Sequence, residues 1–208
     1  MNNVLHVRAI SHELPAFTAL LQARGMESRS LRDLRSEDFQ GRRAILIEAH
    51  IDQRALLTHR AMLRTHLDAG GTLVFNGHLV YPVFDELEPY RVAAGRGVED
   101  LMVERVHAHP VFDGVACDDL SFRRGVAGFY GRGANPAPRG AVVLHRLRKD
   151  GSPLDWVWQR PAGGQIFMHG GNTCWMYIND PTSAARIAPQ MLDWIEAGAP
   201  AISGEKEA

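Results

Sequence analysis

Five side chains suited to proton transfer or polar recognition stand where apolar runs of the sequence end. Two of them, Glu48 and His50, close the run 43–50, and a separation of two residues places both on one side of an extended strand. Carboxylate and imidazole groups act as general acids and bases near neutral pH. The pattern predicts a site for acid–base chemistry on a small polar molecule, formed by Glu48, His50, Asn76, His78 and His169.

The same group also suggests a divalent metal as a cofactor. Imidazole and carboxylate ligands suit zinc, iron or manganese, but the spacing here matches no recognised metal motif, so the metal ligands stay unspecified. A structural role is the alternative, in which these histidines form hydrogen bonds that stabilise the turns after the strands. Both interpretations stay open at the level of the sequence.

Four further residues are predicted to contact a ligand. The glycine-rich loop 128–136 combines aromatic, guanidinium and amide groups, as a lid or ligand-contact loop does, with an ordinary structural loop as the alternative. Its candidates are Tyr130 and Arg132. Asn172 follows the last apolar run and His12 follows the first, which places each of them near a strand end.

The elements that must position these residues alternate between strands and helices in the first half of the chain. Apolar-rich runs at 4–10, 43–50 and 72–75 read as strands, and 27–31 is a weaker strand candidate. Asp52 is expected to cap a helix whose apolar residues share one face. This alternation predicts an α/β fold with a doubly wound, mostly parallel sheet flanked by helices. Ligands of such sheets bind at the carboxyl ends of the strands, where the candidates lie.

The second half adds a β-hairpin near 141–158, because Asp150 and Gly151 form a favoured hairpin turn between two apolar runs. A strand at 165–168 follows, and the last helix is expected to start at Asp180, with Pro189 bending it or marking its true beginning. Trp156 and Trp158 alternate along one strand face, which favours the core or a homodimer contact over a sugar-stacking platform.

Length and composition restrict the class of protein. The 208 residues fit one domain over 1–200 with a polar tail at 201–208, and 45% hydrophobic residues suit a globular fold. The net charge of -1 argues against a nucleic-acid partner. No signal peptide or long apolar segment is visible, so a cytoplasmic protein without a membrane partner is expected. Cys117 and Cys174 are expected to be free thiols, with Cys174 also considered as a displaced nucleophile.

Three segments together resemble the ThuA-like (trehalose utilisation-like) proteins of the class I glutamine amidotransferase-like superfamily. The first is similar to the strand and tight turn that carry the amidotransferase nucleophile, the second to a His-Pro phrase of ThuA-like sequences, and the third to their C-terminal strand, glycine-rich turn and final helix. The segments are 70–78 (GGTLVFNGH), 109–115 (HPVFDGV) and 164–172 (GQIFMHGGN).

This resemblance implies a flavodoxin-like, class I glutamine amidotransferase-like fold, and it also shows what is missing. Asn76 stands where amidotransferases carry their nucleophilic cysteine, and an amide cannot attack a glutamine substrate. His169 matches the late catalytic histidine, but Gly170 and Gly171 follow it instead of Pro-Glu. Glutaminase activity is therefore not expected. Two functions remain as expectations. One is a hydrolase or isomerase that acts on a sugar-like or amide substrate, and the other is a non-catalytic ligand-binding or assembly protein.

Overall fold

Five neighbouring parallel strands and three antiparallel ones form one sheet at the centre of the computed structural model. The structure describes residues 4–9 and 14–202. His12 therefore lies outside the described residues, as does the predicted polar tail from residue 203 onward. The single domain predicted over 1–200 stays a prediction.

Short strands and helices alternate along the described chain. The strands are β1 (Val4–Arg8), β2 (Glu27–Ser30), β3 (Ala44–Ile47), β4 (Thr72–Asn76), β5 (Arg91–Val92), β6 (Val103–Arg105), β7 (Phe122–Arg123), β8 (Val126–Ala127), β9 (Gly133–Ala134), β10 (Val142–Leu147), β11 (Pro153–Gln159) and β12 (Gln165–His169). The α-helices are α1 (Pro15–Ala23), α2 (Gln53–Leu57), α3 (Arg60–Asp68), α4 (Cys117–Ser121) and α5 (Ile187–Glu196). Six short 3₁₀ turns connect them, at Leu31–Asp33, Ser36–Phe39, Glu99–Leu101, Pro110–Phe112, Cys174–Tyr177 and Ser183–Arg186.

The order of strands in the large sheet is β2-β1-β3-β4-β12-β11-β10-β6. The first five strands run parallel. Their order is flavodoxin-like: β2 is added on one side of β1 and the later strands on the other, so the direction of strand addition reverses between β1 and β3. The predicted α/β fold is thus confirmed. The hairpin predicted near 141–158 is the antiparallel pair β10 and β11, which extends the sheet on the far side of β12.

Helices cover both faces of the sheet, as the predicted doubly wound arrangement requires. On one face, Phe17 of α1 and Ile187 of α5 pack in a cluster with Leu46, Val74 and Phe167 of the strands. On the other face, the apolar side of α2 and α3 packs in a second cluster with alternate strand residues. Successive strand side chains point to opposite faces, so each buried strand contributes to both clusters.

Two expected helices differ in detail from the sequence interpretation. Asp52 caps α2 as expected, accepting hydrogen bonds from the main-chain N–H groups of Arg54 and Ala55, but a turn separates α2 from α3. The last helix begins at Ile187 and not at Asp180, which instead forms an ion pair with Arg123 (Nε to Oδ2, 2.6 Å). Pro189 consequently lies in the first turn of α5, where a missing N–H group costs no hydrogen bond.

The tryptophans of β11 belong to the core of their own chain. Trp156 and Trp158 are 1% and 5% exposed and pack in the cluster that faces α2 and α3. They offer no surface for a second copy, so a homodimer stays a prediction without their support. None of the described helices has the length and apolar content needed to span a bilayer.

Candidate functional site

A row of buried polar side chains crosses four neighbouring strands in register. Asn76 of β4 pairs with His169 of β12, His169 with Asp155 of β11, and Asp155 with His145 of β10. All four side chains are at most 1% exposed. Buried polar groups need partners, so the hydrogen bonds of this row decide whether it is structural or reactive.

Asp155 is the centre of the row. Its Oδ1 lies 2.6 Å from His169 Nδ1, and its Oδ2 lies 2.8 Å from His145 Nδ1 and accepts a hydrogen bond from the Tyr130 hydroxyl at 2.6 Å. A carboxylate can only accept, so both histidines carry a proton on Nδ1. His145 Nε2 then accepts from Arg105 Nε at 3.3 Å, which satisfies both ring nitrogens of that histidine.

The charges of this network follow from its contacts. Burial alone would raise the pKa of Asp155, but attraction to His169 and hydrogen bonding to His145 outweigh it and hold the pKa well below its usual range. Burial and the Asp155 charge raise the pKa of Tyr130 well above 10. The carboxylate is therefore ionised at neutral pH and the phenol remains protonated.

His169 is the one member of the network with an unused nitrogen. Its Nε2 is buried without a hydrogen-bond partner among the described residues, although Asp155 orients the ring as an acid orients a catalytic histidine. The main chain at Gly171 lies next to this nitrogen: a Cβ on Gly171 would stand 2.9 Å from Nε2 and 1.6 Å from the carbonyl oxygen of Tyr130. Only glycine fits at 171.

Both polar atoms of the Asn76 side chain form hydrogen bonds with the main chain. Its Nδ2 donates to the carbonyl oxygen of Ile47, and its Oδ1 accepts from the N–H group of Cys174, both at 2.9 Å. The side chain thereby connects the end of β3 to the turn after β12. The neighbouring Cys174 is fully buried, and burial followed by the Asp155 charge raises the pKa of its thiol. The thiol is therefore protonated at neutral pH, as expected of a buried free cysteine.

Glu48 and His50 diverge after the end of β3. Glu48 turns inward, where its carboxylate accepts from the N–H group of Ala9 at 2.9 Å and lies 3.1 Å from His6 Nε2, without the angle of a hydrogen bond. His50 has a left-handed backbone (φ 62°) and an exposed side chain. Because the strand stops at Ile47, the shared face expected of an extended 48–50 segment does not form.

An open cleft of about 420 Å³ lies at the carboxyl ends of the parallel strands. Its side chains come from the loops after β3, β4 and β12 and from the glycine-rich loop, namely His50, Gln53, His78, Val80, Phe129, Arg132 and Asn172. Glycines 77 and 171 contribute main chain. Gly77 has a φ of 104°, and a Cβ there would stand 3.2 Å from Cα of Ala49. Both positions exclude larger residues.

Hydrogen bonds hold the walls of this cleft in place. His50 Nε2 lies 3.1 Å from Asn172 Oδ1, and Asn172 Nδ2 donates to the carbonyl oxygen of Phe129 at 3.1 Å. Gln53 donates to the carbonyl oxygen of His78 and accepts from the N–H groups of Val80 and Tyr81. The His50 and His78 loops are therefore fixed by neighbouring side chains before any ligand binds.

His78 and Arg132 are two further exposed polar groups that line the cleft. The His78 ring stacks on Tyr90 with centroids 3.7 Å apart. Burial, followed by repulsion from His50 and His169, lowers the pKa of His78, so the ring is mostly neutral at pH 7. Arg132 donates through Nε to the carbonyl oxygen of Gly128 at 3.2 Å, and it forms no ion pair with a described carboxylate.

The predicted site residues thus fall into two sets. His50, His78, Arg132 and Asn172 line the cleft, whereas Asn76, Tyr130 and His169 are buried and do not line it. Glu48 is also buried, and it lines a neighbouring cavity of about 340 Å³ that shares His50 and Asn172 with the cleft. The sequence interpretation did not identify Asp155, His145 or Gln53. An acid between Leu154 and Trp156 in a strand of buried residues was the available signal, because a carboxylate is rarely buried without a partner. Within 4–9 and 14–202, no three His, Cys, Asp or Glu residues are grouped as metal ligands.

Comparisons with known proteins establish the fold alone. No family model matches the chain, and no curated protein matches it. Among solved structures, the cytoplasmic protein STM3548 from Salmonella typhimurium is 14% identical with a TM-score of 0.60, covering 92% of this chain and 98% of its own. The mmIFT52 N-terminal domain is 12% identical with a TM-score of 0.58, covering 96% and 99%. A ThuA-like protein from Bacteroides uniformis is 13% identical with a TM-score of 0.51, covering 92% and 90%. The chain therefore shares its fold with a ThuA-like protein.

Proposed function

We propose that this chain is a ThuA-like protein that binds a small polar metabolite in the strand-end cleft. The observation that carries the proposal is the convergence of His50, His78, Arg132 and Asn172, from four separate loops, on one cleft of about 420 Å³. That volume suits a metabolite, and the carboxyl ends of parallel strands are where such sheets bind ligands. The shared fold with the Bacteroides protein supports the family assignment.

The chemistry proposed for this cleft is acid–base catalysis by a hydrolase or isomerase acting on a sugar-like or amide substrate. His78, with its lowered pKa, is mostly a proton acceptor at pH 7, and His50 is an exposed imidazole on the same cleft. Covalent catalysis of the glutaminase type is not part of the proposal, because Asn76 lacks a nucleophilic atom and its amide is fully engaged. If a divalent metal takes part, these two imidazoles are the groups available to it in the cleft.

A non-catalytic ligand-binding or assembly protein is the second candidate, and one observation favours it. His169, whose ring is oriented by Asp155, has its Nε2 atom buried next to Gly171 and does not line the cleft. Under this candidate the cleft binds its ligand without converting it. A cytoplasmic location is proposed for either candidate on the basis of the sequence.

The test is a thermal-shift screen of sugars, amides, nucleotides and carboxylates, followed by calorimetry on each hit. We expect at least one hit whose affinity falls at least tenfold in both His78→Gln and Asn172→Ala, with Arg139→Gln, an exposed site outside the cleft, unchanged. Hits that bind these variants as tightly as the wild type would show that the cleft is not the binding site.

Metal analysis of the purified protein, and repetition of the screen with zinc or manganese, test whether a divalent metal takes part.

Nuclear magnetic resonance of the bound metabolite separates the two candidates. Slow conversion that disappears in His78→Gln, while the protein stays folded, supports the enzyme. A ligand that survives prolonged incubation with a stoichiometric amount of protein supports the binding protein.

A further inference from the structure

An apolar cavity of about 720 Å³ lies beside the strand-end cleft. Five large hydrophobic side chains of the described residues are conspicuously exposed, and four of them line this cavity: Val80 (56%), Val92 (62%), Val98 (53%) and Val126 (48%). Isolated exposed valines are ordinary, but valines from four separate segments around one concavity form an exposed apolar patch, which marks a binding surface.

The cavity and the cleft share a wall. His78, Val80 and Arg132 belong to the lining of both. His78 stands at the junction, stacked on Tyr90, which itself lines the apolar cavity. Because Arg132 lines both spaces, a group bound at Arg132 stands at the edge of the apolar cavity as well as of the cleft.

The charged side chains that line these two spaces are all positive. No carboxylate side chain of the described residues lines either space, whereas Arg132 lines both and Arg96 lines the apolar cavity. Asp100, the acid against Gly95 at the edge of the apolar cavity, is already paired with Lys149 and accepts from the N–H group of Gly97. A guanidinium without a carboxylate partner, in a cavity bounded by valines, is suited to an anion that carries an apolar group.

We propose that the cleft and the apolar cavity form one site for an amphipathic anion, whose carboxylate or phosphate contacts Arg132 and whose apolar body packs against Val92, Val98 and Val126. This inference rests on the proposed function, because it places the polar end of a metabolite in the cleft, and it adds a negative charge and an apolar body to that ligand. An uncharged sugar would leave the four valines in water and Arg132 without an anionic partner. An anion with an apolar body satisfies both, and burial of apolar surface contributes to its affinity.

The experiment compares one amphipathic acid with its parts by calorimetry. The probes are 4-phenylbutyrate, the neutral 4-phenylbutanol, acetate as the bare carboxylate, and phenyl phosphate with inorganic phosphate as the corresponding phosphate pair. We expect an amphipathic acid to bind at least tenfold more tightly than the neutral analogue and than its bare head group. The carboxylate and phosphate pairs then show which head group the site prefers.

Two variants separate the contributions. Arg132→Gln should weaken the acid at least tenfold and leave 4-phenylbutanol unchanged, whereas Val126→Asp should weaken both acid and alcohol. Arg139→Gln and Ala162→Asp, which change exposed residues elsewhere, are the matched controls. Equal binding of acid and alcohol, or an acid insensitive to both variants, would overturn the proposal.

Two further outcomes would show that this inference fails, independently of the proposed function. If polar metabolites bind in a manner that depends on His78 while none of the amphipathic acids binds, this inference fails and the proposed function stands. If light scattering shows a dimer that Val126→Asp dissociates and Ala162→Asp does not, a second copy of the chain occupies the apolar cavity, and the proposal is wrong.

Discussion

His169 Nδ1 lies 2.6 Å from Asp155 Oδ1, and neither side chain is exposed to solvent. The two residues stand opposite each other on neighbouring strands, so the backbone register itself places the carboxylate against the ring. This is the geometry in which an acid fixes the tautomer of a catalytic histidine, yet here the free nitrogen of the ring is buried. The dyad therefore acts in the described structure as part of the core.

Asp155→Asn should lower the free energy of unfolding by about 3–5 kcal/mol, because breaking a buried charged network leaves the remaining partners unsatisfied. Tyr130, His145 and His169 all lose the carboxylate that accepts their hydrogen bonds. Urea denaturation monitored by tryptophan fluorescence measures the change. Asp113→Asn, at an exposed position, is the control; similar stability of the two variants would show that Asp155 contributes little.

Asn76→Cys should not create a glutaminase, although it introduces the nucleophilic residue type that such an enzyme uses. The substitution removes the amide group that donates to the carbonyl oxygen of Ile47 and the amide oxygen that accepts from the N–H group of Cys174. Leaving a buried main-chain group without its hydrogen bond lowers the free energy of unfolding by about 1–3 kcal/mol. His169, the histidine that would have to activate the thiol, also has its Nε2 atom buried. Ammonia release from glutamine and urea denaturation are the two measurements. Release of ammonia by the folded variant, above the wild-type background, would contradict this prediction.

Cys174 should resist thiol reagents in the native protein. The side chain is fully buried, and its raised pKa keeps the thiolate population negligible at pH 8. Titration with a chromogenic disulfide should report rapid reaction of Cys117 alone, which is partly exposed, and reaction of both cysteines in denaturant. Cys117→Ser serves as the control, since its native form should then show no rapid reaction.

His109 should make the protein less stable as the pH falls from about 6.5 to 4. Burial lowers the pKa of this histidine to about 4, so below pH 6.5 the unfolded chain binds a proton that the folded chain does not. At pH 5 the difference amounts to about 2 kcal/mol of unfolding free energy relative to pH 7.5. His66 and His78 also have lowered pKa values and act in the same direction.

The variant His109→Asn isolates this contribution. An asparagine oxygen can replace Nδ1 as the acceptor for the N–H group of Val111, while the titrating ring is removed. We expect the variant to lose stability at pH 7.5, because it leaves space between Phe112, Phe167 and Trp194, but to lose less than the wild type on going to pH 5. An identical pH dependence of the two proteins would show that His109 is not the titrating group.

The parallel half of the fold was predictable because four of its strands, β1, β3, β4 and β12, are largely buried and read as short apolar runs, whereas β2 is polar and only partly buried. The 150–151 turn likewise identified the β10 and β11 hairpin. The last helix was misplaced because Asp180 has the residue type of a helix cap, and only the tertiary structure shows that Arg123 takes its carboxylate. Local sequence signals cannot reveal a partner that lies 57 residues away.

The candidate site was predictable only at the level of strand ends. The sequence brings Glu48, His50, Asn76, His78 and His169 to one edge of the sheet, but it does not specify which side chains face solvent. That choice depends on where each strand stops: β3 ends before Glu48, and β12 continues through His169. Asp155 lies near the beginning of β11, an antiparallel strand that starts beside the site and runs away from it, so the carboxyl ends of the strands do not point to this residue.

The main chain at positions 77 and 171 limits how this cleft can be altered in the laboratory. A methyl group at 171 would collide with the Tyr130 carbonyl, and one at 77 would meet the Ala49 backbone in an unfavourable conformation. Mutant libraries that include these two positions would therefore consist largely of misfolded protein. Variation aimed at a new ligand should be confined to Val80 and Phe129, which line the cleft and whose side chains can change size without disturbing the main chain at the two glycines.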